Sequence, residues 1–222
     1  MPSKLVLLFD LDGTLLDTDP LHVGAYATLL GEMGRSLSMA DYRAHVMGAA
    51  NADIMAYLFP DQPADGHFEL LERKEALVRA GMDVLAPTPG LLDVLAWAAD
   101  RDVPCGVVTN APRANADKML AGLGLSRRFP VVVIGDELAR GKPDPLPYLT
   151  GLQRLGGEAA HAVAFEDSRA GIRSATAAGI YTFALRTALA DDVLRAAGAD
   201  AIITDFTDPA LRAFLEARLS GS

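Results

Sequence analysis

The chain has almost no cysteine: Cys105 stands alone among 222 residues. A disulfide framework within the chain is therefore excluded. Positive charge is scarce too, with 20 Lys and Arg against 29 Asp and Glu and a formal net charge of −9. A nucleic-acid-binding protein needs a basic face, and a peripheral protein on an anionic membrane needs the same. Neither partner is expected. No hydrophobic run approaches the ~20 residues that a membrane-spanning helix requires. The apolar run Leu5-Val6-Leu7-Leu8-Phe9 is short and ends at Asp10. No small-residue cleavage site follows it, so it does not read as a signal peptide. Repeats, low-complexity tracts and linkers are missing, apart from short turns such as Pro87-Thr88-Pro89-Gly90. The expectation is a reduced, cytoplasmic protein, monomeric or a weak homodimer.

Half of the residues are hydrophobic and 22% are charged, which suits an ordinary globular protein. A chain of this length buries roughly 70% of its unfolded surface and needs no staple to fold. Short apolar runs occur at 4–9, 103–108, 131–134, 162–165, 180–185 and 201–203. They are nearly free of polar residues, as strands covered on both faces are. Helical segments lie between them. One spans 114–123 and stops at Gly122 or Gly124. One follows Ser168 and stops at Gly179. One starts at Pro145 and runs toward Leu155. Strand and helix in alternation predict a doubly wound α/β fold with a parallel, Rossmann-like sheet.

The stretch 16–85 differs. It holds no strand-like run, and His22, Tyr26, Leu29 and Met33 step by four and three, as one face of a helix does. Leu70, Leu71, Lys74, Leu77 and Val78 make a second such face. The expected organisation is an α/β core of residues 1–15 and 86–222, with a small helical insert at 16–85.

Four constellations could carry chemistry, each at or just after an expected strand end, where α/β folds build their sites. The first is Asp10-Leu11-Asp12-Gly13-Thr14. Two carboxylates so close can share attack and proton transfer. A calcium loop is excluded, because counting from Asp10 puts Leu15 and Leu21 where glycine and glutamate belong. The second is Thr109-Asn110, whose hydroxyl and amide can hold an oxyanion. The third is Gly141-Lys142-Pro143. A nucleotide loop is excluded there, since five residues separate Gly135 from Gly141 and Pro143 replaces Ser or Thr. The fourth is Glu166-Asp167-Ser168. A helix cap explains one of those polar residues but not a glutamate at the last strand position. One sheet gathering all four would bring Asp10, Asp12, Glu166 and Asp167 together with only Lys142 to offset them. A hard divalent cation, Mg²⁺ above all, resolves that repulsion, and such sites suit phosphate esters.

In this order the four motifs resemble the haloacid dehalogenase superfamily of phosphohydrolases. The chain is similar to its helical-cap branch, which holds phosphoglycolate phosphatases, sugar-phosphate phosphatases and beta-phosphoglucomutase. The resemblance spans essentially the whole chain. It implies that Asp10 attacks phosphorus and that Asp12 serves as acid and then base. It implies that Thr109, Asn110 and Lys142 hold the phosphoryl group. Mg²⁺ would be held by Asp10, the backbone carbonyl of Asp12, and Asp167, with Glu166 close by. Asp12 favours phosphoester cleavage, because the dehalogenase and phosphonate-cleaving branches lack that aspartate. In the cap, His22 and Lys74 match residues lining the active site of the mutase branch. The mutase's phosphate-gripping arginine appears here, within Met47-Gly48-Ala49-Ala50-Asn51, as Asn51. The resemblance thus implies a Mg²⁺-dependent phosphatase of a small phosphorylated metabolite, such as a sugar phosphate or phosphoglycolate. A beta-phosphoglucomutase-like phosphomutase is the alternative.

Overall fold

The structure is a computed structural model that describes residues 4–47, 49 and 51–220. Gly48 and Ala50, within the stretch singled out around Asn51, lie outside the described residues. Six strands form one sheet: β1 (Val6–Phe9), β2 (Cys105–Thr109), β3 (Val131–Ile134), β4 (Ala162–Glu166), β5 (Tyr181–Leu185) and β6 (Ala201–Ile203). Their order is β3-β2-β1-β4-β5-β6, and every pairing is parallel. The chain winds outward from β1 in both directions. This doubly wound order opens a crevice at the strands' carboxyl ends.

Both faces of the sheet are buried. Along β1, Leu7 and Phe9 enter one apolar cluster while Val6 and Leu8 enter another. This explains why the strands read as unbroken apolar runs rather than alternating ones. Helices cover the two faces: α5 (Leu91–Ala99), α6 (Arg113–Gly122), α7 (Leu146–Leu155), α8 (Arg169–Ala177), α9 (Asp191–Ala197) and α10 (Pro209–Ser220). Phe9 and Phe165 face each other in register across β1 and β4, their rings stacked at 4.8 Å. Removing such a buried ring costs about 3–5 kcal/mol. The pair fixes the two strand ends from which Asp10 and Glu166 emerge.

Strand bounds differ from the sequence reading mainly at β2, which begins at Cys105 rather than residue 103. Asp102 takes a positive φ and Pro104 has no N–H to pair, so the ladder starts one residue later. Cys105 itself is buried, and burial pushes its thiol up to about 12.

Between β1 and α5 lie only helices among the described residues: α1 (Asp19–Glu32), α2 (Met39–Asp41), a π-helical turn (Tyr42–Val46), α3 (Asn51–Leu58) and α4 (Ala64–Ala80). They enclose their own apolar cluster around Tyr26, Leu29, Ile54, Leu58 and Leu70. Met33 falls outside the expected stripe: α1 ends at Glu32, and Met33 is 40% exposed. No helix among the described residues is long and apolar enough to cross a membrane.

Candidate active site

The crevice at the strands' carboxyl ends holds a cavity of about 210 Å³. Its floor is Asp10, Asp12, Thr109, Asn110, Lys142 and Asp167, and its roof includes His22, Asn51 and Lys74 from the helical layer. So the structure brings nine of the ten residues singled out in the sequence around one space. The tenth, Glu166, sits fully buried behind Lys142.

Lys142 is the hub. Its Nζ donates to Asp10 Oδ1 and to Glu166 Oε1, each at 2.5 Å. Burial alone lowers a lysine, but the two carboxylates outweigh it and hold Lys142 above its ordinary value, firmly charged. The peptide bond after Lys142 is cis. Asn110 holds this segment: its Nδ2 donates to the Lys142 carbonyl, and its Oδ1 accepts from the Lys142 amide, both at 3.1 Å. The Asn110 side chain is thereby committed to positioning Lys142. One N–H of Nδ2 and the backbone amide remain for the oxyanion-holding role that the sequence suggested. Gly135 and Gly141 make room for it, since a Cβ at either would press on Asn110 Oδ1. The Thr109 hydroxyl accepts from Ala111 N at 3.0 Å and keeps its own proton free to donate.

Glu166 is saturated. Oε1 accepts from Lys142 and from the Tyr148 hydroxyl at 2.9 Å. Oε2 faces the amides of Asp167 and Ser168 and the Ser168 hydroxyl at 3.2–3.4 Å. The cap of α8 is Ser168, whose Oγ accepts from Gly171 N at 3.0 Å. A Cβ on Gly171 would collide with the Glu166 carboxylate.

Asp10, Glu166 and Asp167 each place a carboxylate oxygen within 4.8 Å of the others. Burial raises the Asp10 carboxyl to about 8, helped by Glu166 and Asp12 and opposed by Lys142. Burial, then Asp10 and Glu166, raise Asp167 well above its usual range. Asp167 has one long contact, from the Thr14 hydroxyl at 3.4 Å. Asp10 Oδ2 has no hydrogen-bond partner among the described residues. This donor set, hard oxygens short of positive charge, fits a divalent cation held by Asp10 and Asp167. Glu166 belongs to the same acidic group, and its oxygens also meet Lys142, Tyr148 and the start of α8.

Asp12 stands apart from that cluster. Its Oδ1 accepts from the Thr18 hydroxyl at 2.8 Å, and His22 Nε2 lies 3.4 Å away. Burial pushes its carboxyl up, yet His22, Thr18 and Lys74 outweigh burial and leave it below its usual value. Asp12 is therefore held in its basic form. The loop carrying it is clamped by two threonines: Thr88 donates to the Thr14 carbonyl and Thr187 to the Gly13 carbonyl, at 2.7 and 2.6 Å.

Three participants escaped the sequence reading. Tyr148 reads as a core residue of α7, four before Leu152, and its bond to Glu166 crosses 18 residues of chain. Glu75 reads as an exposed helix acid but is buried, as is Asn115 in the first turn of α6. Nothing local in the sequence signals them, because each is buried by a partner distant in the chain.

A parallel sheet with this winding, and four polar motifs at or after its strand ends, define a hydrolase-type site of the haloacid dehalogenase kind. The chain belongs to the haloacid dehalogenase-like hydrolase family, which it matches over residues 7–185. It is 31% identical over 176 residues to a phosphorylated carbohydrates phosphatase of Thermotoga maritima, covering 78% of this chain and 81% of that one. It is 36% identical over 179 residues to a phosphoglycolate phosphatase of Xylella fastidiosa, covering 78% and 76%. Among solved structures, CbbY of Rhodobacter sphaeroides in complex with xylulose-1,5-bisphosphate superposes with a TM-score of 0.78. There the identity is 26%, with 92% of this chain and 96% of that chain covered.

Proposed function

We propose that the protein is a Mg²⁺-dependent phosphatase of a small phosphorylated metabolite, a sugar phosphate or phosphoglycolate type. Residues 16–85 act as a cap over an α/β core of residues 1–15 and 86–222. The observation that carries this reading is the convergence of Asp10, Lys142 and Asp167 on one cavity floor, with Asp12 beside them. The cation held by Asp10 and Asp167 would supply charge neutralisation to the phosphoryl group.

In the first half-reaction an Asp10 carboxylate oxygen attacks phosphorus, and the bond from phosphorus to the leaving oxygen breaks. The leaving oxygen takes its proton from Asp12. In the second half, water attacks the aspartyl-phosphate, Asp12 removes the water proton, and the Asp10 carboxylate leaves with phosphate released. Lys142 holds Asp10 in line and balances its charge, while Thr109 donates to a phosphoryl oxygen. The contacts around Asp12 favour its basic form, which suits the second half. The first half requires Asp12 to enter protonated. Where the resemblance to the mutase branch implies an arginine gripping a second phosphate, the roof here carries Asn51, an amide. That supports hydrolysis over phosphate transfer between sugars.

Inorganic phosphate release across a panel of phosphorylated metabolites with Mg²⁺ tests the proposal. The panel includes beta-glucose 1-phosphate with and without a bisphosphate primer. Release from one compound class is the expected result. Isomerised sugar phosphate with little free phosphate would overturn it.

A further inference from the structure

The α4–α6 contact contains a chain of polar groups that the reaction above does not use. Glu75 Oε1 accepts from Lys74 Nζ at 2.8 Å. Glu75 Oε2 accepts from Asn115 Nδ2 at 2.6 Å. Asn115 Oδ1 in turn accepts from Arg79 at 2.8 Å. Lys74, Glu75 and Asn115 are all buried. Adjacent helical residues do not normally face each other, yet Lys74, at the cavity, and Glu75, buried against Asn115 of α6, are paired. Apolar residues would hold the same two helices together as well, or better. What an apolar contact would not do is keep an ammonium at the cavity. Lys74 lines that cavity, with its Nζ 5.3 Å from the Tyr26 ring centroid. Glu75 is its only hydrogen-bonding partner among the described residues, which leaves two N–H donors for a ligand.

We propose that Glu75 and Asn115 are positioning residues. They fix Lys74 where it can donate to an oxygen on the leaving group of the substrate. The substrate class that follows is a phosphate ester whose leaving group carries hydroxyl or carboxylate oxygens, rather than a bare aryl or alkyl alcohol. This deepens the phosphatase reading and rests on it. Asn115 belongs to α6, whose first turn follows the Thr109–Asn110 loop. The chain of bonds therefore registers the roof lysine against the phosphate-holding floor.

The test uses Asn115→Asp and its combination with Glu75→Gln. The first variant sets a carboxylate against Glu75 Oε2 while still accepting from Arg79. The second restores the pairing in reverse: glutamine accepts from Lys74 and donates to the new aspartate. Two substrates are compared, fructose 1-phosphate and p-nitrophenyl phosphate. Asn115→Asp should raise KM for the sugar phosphate on the order of tenfold while the aryl phosphate stays within about twofold. The double variant should recover the sugar phosphate KM. Amine acylation of Lys74, read on its peptide by mass spectrometry, gives a measure free of catalysis. It should be slow in the parent, faster in Asn115→Asp and slow again in the double variant. Equal loss on both substrates, an unchanged sugar phosphate KM, or no recovery in the double variant would overturn the proposal. A parent that releases phosphate from neither substrate would overturn the phosphatase reading instead, and the labelling pattern would still decide the positioning of Lys74.

Discussion

Replacing Lys142 by methionine removes the cation that touches both Asp10 and Glu166. Methionine fills much of the volume, so the loss is mainly electrostatic. Breaking a buried ion pair from one side costs about 3–5 kcal/mol, because a desolvated charge is left behind. At about 2–4 °C per kcal/mol for a chain of this size, the melting temperature should fall by roughly 6–20 °C. The sign of the pH dependence follows from the carboxylates. Asp10 already titrates at about 8 when folded, against 3.8 for the free group. Losing the lysine raises it further, and an orphaned carboxylate can escape the penalty only by binding a proton. A carboxyl raised in the folded state costs stability progressively from its free value up to its folded value and no further, so two proteins that differ only in that folded value diverge above the lower one. The deficit of the variant should therefore stay level while Asp10 is protonated in both proteins, and widen from about pH 7.5 to about pH 9.5, as the parent's Asp10 ionises beside Lys142 and the variant's does not. Thermal unfolding of both proteins in EDTA across that range is the assay. A drop under about 2 °C, or a deficit that shrinks as pH rises, would refute the placement of Lys142 as the balancing charge.

Two further outcomes are expected. The gain in melting temperature on adding Mg²⁺ should be larger near pH 8.5 than near pH 6, since protons on the raised Asp10 and Asp167 compete with the cation; calorimetry at both pH values checks this, and an equal or reversed gain would contradict it. Gly13→Ala should lose activity together with its response to Mg²⁺, because Gly13 sits at φ 75° and a Cβ there would collide with the Asp167 carboxylate; a Mg²⁺ titration of turnover checks this, and a parent-like titration would contradict it.

Much of the scaffold is legible in the chain because doubly buried strands have to be continuously apolar. The runs at 131–134 and 201–203 match β3 and β6 without change. The motifs at the strand ends are legible for a related reason: a charge such as Glu166 placed directly after Ala162–Phe165 demands a partner inside the protein. What the sequence leaves hidden is which partner. The sequence offers Asn110 as an oxyanion holder and does not show that its side chain also bonds the backbone of Lys142. Lys74 stands on an apolar stripe and reads equally as a surface-seeking side chain. Its burial follows from Glu75 and Asn115, and the Asn115 contact joins positions 40 apart in the chain. Pairing across such distances leaves no period or spacing for a sequence to display.

The proposed reaction turns on Asp10 carrying the phosphoryl group. A single turnover with a sugar phosphate bearing radiolabelled phosphorus, quenched in acid, tests it most directly. Transient label should appear on the peptide containing Asp10, with neither label nor phosphate release in Asp10→Asn. Phosphate release without label on that peptide, or substantial turnover by Asp10→Asn, would contradict it.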